Sequence, residues 1–265
     1  MPAAPSPDSG RIASKPPESR PRAALRYTTR TRPVVPPIYQ SVTYFLDDES
    51  YKDVQAGKLD EHWYGRFRNP TVDVVAEAVA ALEGAEAGFM AASGMGAIAT
   101  TLISLLRSGD RLVSAAQVYG DTHDLLTRDL PGFGIDVVRV DSVDLNAWAT
   151  AISEGHTKVV YAETLSNPQL EITDLSVLAG LAHDAGALLV VDNTFGTPYA
   201  VNPLALGADV VVHSATRFLN GWLPTPGARS PSGLCEASSA EPCHLHRRWR
   251  ERAGTGSHAS PRGGL

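Results

Sequence analysis

Apolar positions in the middle of the chain follow two alternating rhythms. Residues 72–85 (VDVVAEAVAALEGA) repeat them every three or four residues and predict a helix, while 87–93 (AGFMAAS) predict a short buried strand. The alternation continues with 94–109 (GMGAIATTLISLLRSG) and 111–116 (RLVSAA), then with 121–130 (DTHDLLTRDL) and 136–140 (DVVRV). Two further pairs are 145–155 with 158–164 (KVVYAET) and 174–186 with 187–194 (ALLVVDNT), Asp174 standing where a helix N-cap belongs. Residues 208–215 (ADVVVHSA) predict the last strand. Strands this apolar, each reached through an amphipathic helix, predict an α/β fold with a mostly parallel sheet covered on both faces.

The flanks read differently. Residues 1–33 are rich in Pro, Ser and Arg without sustained periodicity, which predicts a disordered or extended arm. An Arg-rich, acid-poor leader also suits a transit peptide, but no amphipathic helical pattern supports that reading. The span 34–221 holds the α/β pattern. Residues 222–265 lose it abruptly: they carry both cysteines and two of the four tryptophans, and show no strand run. This tail is expected to be unfolded.

Charge and composition narrow the function classes. A formal net charge of −6 argues against a nucleic-acid or membrane-surface role, since both usually show a basic face, and no apolar run is long enough for a membrane span. There is no apolar signal core at the N-terminus, and two cysteines in 265 residues fit a reducing compartment, so the cytoplasm is expected. Cys235, Cys243, His244 and His246 form a nominal metal cluster, but their spacing matches no common zinc module and no metal is expected.

Candidate chemistry gathers at strand ends. The segment VVVHSATRFLNG ends in Ser214, Thr216 and Arg217, and hydroxyls two residues apart can bond the oxygens of one phosphate. Ser93, Gly94 and Met95 lie between a strand and an apolar helix, where free N–H groups favour an anion. Asp192 closes a buried strand, where a carboxylate needs a cation or several donors. A protonated ring nitrogen and a structural salt bridge satisfy that need equally. Tyr119 closes another strand, placed either to stack on a flat ligand or to pack as an ordinary core aromatic.

Taken together and in order, PPIYQSVTY, YGRFRNPTVDVVAEAVAALEGAEAG, ASGMGAI, VYGDT, ETLSNPQLEITD, VVDNTFGTPY and GADVVVHSATRFLNG resemble the pyridoxal-phosphate enzymes of cysteine and methionine metabolism. That family includes cystathionine γ-synthases, cystathionine γ- and β-lyases, methionine γ-lyases and O-acylhomoserine sulfhydrylases. The resemblance implies the large domain of a fold-type I pyridoxal-phosphate enzyme, an amino-acid substrate, and elimination or replacement at its β- or γ-carbon. It implies a homo-oligomer in which Tyr64 and Arg66 reach the cofactor phosphate of a neighbouring subunit. Gly94, Met95, Ser214 and Thr216 would hold the phosphate, with Ser93 beside them. Tyr119 would stack on the ring and assist proton transfer, Asp192 would keep the ring nitrogen protonated, Asn167 would bond the ring hydroxyl, and Glu163 would support the site.

Two departures stand out. The family carries its cofactor as an imine on a Lys at the position of Arg217, and a guanidinium stays protonated near neutrality and forms no such bond. None of the four lysines, Lys15, Lys52, Lys58 and Lys158, falls in the motif, and Lys158 begins a strand and should lie at the far end of the sheet. The resemblance also stops near Gly221, short of the C-terminal domain that grips the substrate carboxylate in the family. A frame shift near codon 221 is expected, checkable by resequencing, and with it an impaired or non-catalytic chain that Arg217→Lys alone does not rescue. Asp121 stands where methionine γ-lyases carry Cys, which weighs against that subgroup.

Overall fold

The structure is a computed structural model that describes residues 34–57, 62–220 and 235–239. The chain divides into two compact units, residues 1–71 and 72–265.

In the first unit, helix α1 (Asp48–Gln55) starts where the Asp47 carboxylate accepts the Ser50 N–H at 2.9 Å. Its few apolar positions left no helical rhythm to read. Thr43 and Tyr64 form an antiparallel bridge, and Gly65 N–H donates to the Val42 carbonyl at 2.7 Å. Asn69 donates to the Tyr39 carbonyl and accepts the Thr71 N–H, which fixes the entry into helix α2 (Pro70–Glu83).

The second unit alternates as its periodicity predicts. Strand β1 (Ala87–Ala91) leads to α3 (Gly94–Leu105), then to β2 (Arg111–Ala115). The next helical stretch is broken into α4 (Gly120–Asp124), a π-helical turn (Leu125–Asp129) and α5 (Leu130–Gly132), where sequence predicts one helix. There follow β3 (Asp136–Val140), α6 (Leu145–Ser153), β4 (Thr157–Glu163), α7 (Leu175–Asp184), β5 (Leu188–Asp192), α8 (Thr197–Ala200) and β6 (Val210–His213). Asp144 and Asp174 cap α6 and α7 by accepting first-turn N–H groups, as expected for Asp174. Gly186, at φ 71°, supplies the left-handed turn after α7.

With β7 (Cys235–Ser239) included, the sheet order is β1-β7-β6-β5-β4-β2-β3, in which β6, β5, β4, β2 and β3 run parallel. Strand β4 is buried along nearly its whole length, as a strand covered on both faces must be. One packed core runs through it: Leu102, Leu112, Val160, Tyr161, Leu178 and Leu189 are all fully buried, and Trp148 donates its indole N–H to the Ser142 carbonyl.

The expectation that residues 222–265 hold no strand is corrected. Strand β7 (Cys235–Ser239) lies between β1 and β6, antiparallel to both. Its signal is not in its own periodicity. Flanked on both sides by strand edges that present unpaired N–H and C=O groups, a short segment pairs through its backbone alone. Cys243, His244 and His246 of the nominal metal cluster lie outside the described residues, as does the arm 1–33. Among the described residues, no helix is long and apolar enough to cross a membrane.

Candidate functional site

Parallel strands deliver their carboxyl ends to one edge of the sheet, and α3 starts at that same edge. There residues of the second unit line a half-open cavity of about 420 Å³. Ten of the residues singled out from sequence line it: Ser93, Gly94, Met95, Tyr119, Glu163, Asn167, Asp192, Ser214, Thr216 and Arg217. Tyr64 and Arg66 belong to the first unit and are not in this lining. The Arg66 guanidinium lies 4.8 Å over the Tyr64 ring, so the two form one cation–π pair.

At one end of the cavity the backbone and two hydroxyls converge. Ser93 caps α3 by accepting the Gly96 N–H at 3.0 Å. The N–H groups of Gly94 and Met95, in the first turn, have no acceptor within the helix. A Cβ added at Gly94 would lie 2.9 Å from both Cβ and Oγ of Ser214, so only glycine permits this approach. Ser214 Oγ stands 3.0 Å from Thr216 Oγ1, and the Ser214 N–H donates to Thr194 Oγ1 at 2.8 Å.

The floor is formed by two carboxylates. Glu163 and Asp192 are register partners on adjacent parallel strands. Glu163 Oε1 accepts the Tyr119 N–H at 2.8 Å and Oε2 accepts the Asn167 N–H at 3.1 Å, so one side chain clamps the backbone of two other cavity residues. Burial, reinforced by Asp192, pushes the Glu163 carboxyl up to about 8 despite these two donors. Burial also raises Asp192, against the opposing pull of Thr194, whose N–H it accepts at 2.9 Å, and of His213. A floor of this kind takes up a proton or a cationic group.

Tyr119 donates its hydroxyl to Asp121 at 3.0 Å. That bond chiefly raises the phenol above its ordinary value, and Arg217, facing the same oxygen, works the other way. The structure therefore holds Tyr119 as a phenol, a proton donor rather than a base. Lys158 is the second residue of β4 and Glu163 its last, about 16 Å apart along an extended strand. The far-end placement expected for Lys158 is met, and among the described residues no lysine lines the cavity.

Sequence reasoning missed Thr194, which holds both Asp192 and Ser214, and the apolar lining from Ile98, Leu165 and Phe195. Thr194 follows Asp192 by two residues at the strand end, the spacing of an Asx turn, and that was the readable signal. The apolar three carry no local signature.

Comparison with known proteins identifies the family. The model of the Cys/Met metabolism PLP-dependent enzyme family matches residues 22–225, beginning inside the expected arm. The L-methionine gamma-lyase of Pseudomonas putida is 43% identical over 189 residues, 71% of this chain and 47% of that protein. The cystathionine gamma-lyase of Bacillus subtilis is 44% identical over 212 residues, 80% of this chain and 52% of that one. Identity alone does not separate these two activities, whatever Asp121 suggests. The chain spans about half the length of the curated relatives it matches.

Two solved structures share the fold. The cystathionine gamma synthase of Xanthomonas oryzae, in complex with aminoacrylate and cysteine, superposes with a TM-score of 0.71 at 34% identity, covering 83% of this chain and 53% of that one. A Campylobacter jejuni structure assigned as an O-acetylhomoserine (thiol)-lyase superposes at 0.72 and 31% identity, covering 82% and 52%, and contains a pyridoxyl-lysine phosphate. With the fold shared and the family model matching three quarters of the chain, this chain is a member of the Cys/Met metabolism PLP-dependent enzyme family.

Proposed function

We propose that the cavity holds pyridoxal phosphate without a covalent bond, in a protein whose lineage eliminates or replaces β- or γ-substituents of cysteine- and homoserine-type amino acids. The fit divides at one residue. The close approach of Gly94 to Ser214, with the paired hydroxyls of Ser214 and Thr216, suits a phosphate. The Asp192 carboxyl, raised by burial, suits a protonated ring nitrogen. Asn167 and Tyr119 also line the cavity; Asn167 would donate to the ring hydroxyl and Tyr119 would offer a flat ring to stack on. Arg217, at the position of the family's cofactor-bearing Lys, does not suit the aldehyde.

When bound, the protonated pyridine ring supplies an electron sink for a carbanion. Asp192 would keep the proton on the ring nitrogen, while Glu163 holds Tyr119 and Asn167 in place and Tyr119 keeps its own proton on the phenol oxygen. Nothing in this set is a neutral amine able to move a proton at the substrate, so turnover is expected to be negligible. The observation that carries this reading is the convergence of ten expected residues on one cavity without a lysine.

The arrangement also supports a non-catalytic subunit that pairs with an intact copy. Tyr64 and Arg66 lie in the first unit as a preformed aromatic–guanidinium pair, available to a neighbour's phosphate. A homo-oligomer acting on a small amino-acid substrate is the family form of that arrangement, and two cysteines in 265 residues fit the cytoplasm.

Titrating the purified chain with pyridoxal phosphate tests the reading. Saturable quenching or dichroism of the cofactor is expected, with no label retained after borohydride reduction and denaturation. Absence of saturable binding, or a label retained on the unmodified chain, would refute it.

A further inference from the structure

The cavity presents an ordered set of charges. One end takes an anion at Gly94, Ser214 and Thr216, the floor at Asp192 takes a cation, and Arg217 adds a guanidinium facing the Tyr119 hydroxyl. Among the described residues no carboxylate pairs with Arg217, and its backbone is fixed by a turn in which its N–H donates to the Ser214 carbonyl at 3.0 Å. Asp121 shares the lining, and one of its oxygens is already engaged by Tyr119. A guanidinium fork matches a carboxylate with two parallel hydrogen bonds.

Resting on the reading above, we infer that Arg217 turns this cavity into a site for a phosphopyridoxyl amino acid. That ligand is the conjugate of the phosphorylated pyridine with an amino acid, and Arg217 takes its carboxylate. Three charges of the ligand then meet three complementary groups: phosphate at the α3 start, ring nitrogen at Asp192, carboxylate at Arg217. The free aldehyde offers only the first two. The cavity volume lies in the range of small-molecule sites. A residue that abolishes covalent capture of the cofactor thereby selects the cofactor already joined to an amino acid.

The test compares two stable probes on the full chain by fluorescence titration of the pyridoxyl group: N-(5′-phosphopyridoxyl)-L-alanine and N-(5′-phosphopyridoxyl)-ethylamine, which differ only in the carboxylate. The carboxylated probe is expected to bind about tenfold more tightly, a partly exposed charge-assisted pair being worth ~1.4 kcal/mol. In Arg217→Gln the two affinities should come within about twofold, through loss on the alanine conjugate alone. Equal affinities on the unmodified chain would overturn the inference while leaving cofactor binding intact. A loss shared equally by both probes in Arg217→Gln would assign the guanidinium to the phosphate and overturn it too. Failure of both probes and of pyridoxal phosphate to bind would sink the proposed function, and this inference with it.

Discussion

Glu83 Oε1 and His213 Nε2 meet at 2.6 Å with both side chains wholly shielded from solvent, 130 residues apart in sequence. Asn193 donates to the same carboxylate oxygen at 2.8 Å and to the Val201 carbonyl at 3.1 Å. The end of α2 is thereby tied to the strand ends that carry Asp192 and Ser214. Among the described residues, Glu83 Oε2, His213 Nδ1 and Asn193 Oδ1 have no hydrogen-bond partner.

Breaking that pair should be expensive. Glu83→Ala leaves His213 and Asn193 buried without their shared acceptor, and about 1–3 kcal/mol of stability should be lost for each group left unsatisfied. Urea denaturation followed by circular dichroism reads this directly. A loss under about 1 kcal/mol would show that the cluster contributes little.

The raised carboxyl of Glu163 links stability to pH. Between its ordinary 4.5 and about 8 the folded chain holds a proton that the unfolded chain has released. Stability from this group is therefore complete below about pH 4.5 and is lost as pH rises through about 8, by at most ~1.4 kcal/mol per pH unit. Asp192, also raised, contributes with the same sign. In Glu163→Gln the fall should flatten, so parallel stability–pH curves for variant and parent would contradict the assignment.

The approach of Gly94 to Ser214 leaves no room for a methyl group. Gly94→Ala places a Cβ 2.9 Å from Ser214 Cβ and Oγ, which must push the hydroxyl pair away from the helix start. Affinity for pyridoxal phosphate should fall by about tenfold or more, the loss of at least one good phosphate hydrogen bond. Unchanged affinity would place the phosphate elsewhere.

Arg217→Lys restores a titratable amine at the cavity wall. Pyridoxal phosphate followed by borohydride should then leave a covalent label on the peptide that contains position 217. Mass spectrometry of a digest checks this, and a label on the peptide of Lys158 or Lys52 instead would show that another lysine reaches the cofactor.

Much of the fold was legible because it depends on local pattern. The apolar runs 158–164 and 187–194 are strands since residues buried on both faces must be apolar throughout, and Asp174 marks a helix start because its side chain replaces a missing backbone acceptor. The cavity residues were legible for a related reason: in a parallel sheet, the polar residue ending each strand shares one edge with its neighbours. Helix α1 was not, because it has too few apolar positions to show a stripe.

By itself the sequence determined the α/β alternation, the family and the identity of the cation at position 217, all of which are stored residue by residue. Only the tertiary structure decided that Glu163 reaches back to Tyr119, that Glu83 meets His213, and that residues 235–239 enter the sheet. Such pairings join segments far apart in the chain. They follow from which backbone edges and buried polar groups the packed sheet leaves in need of partners, and no local pattern records that need.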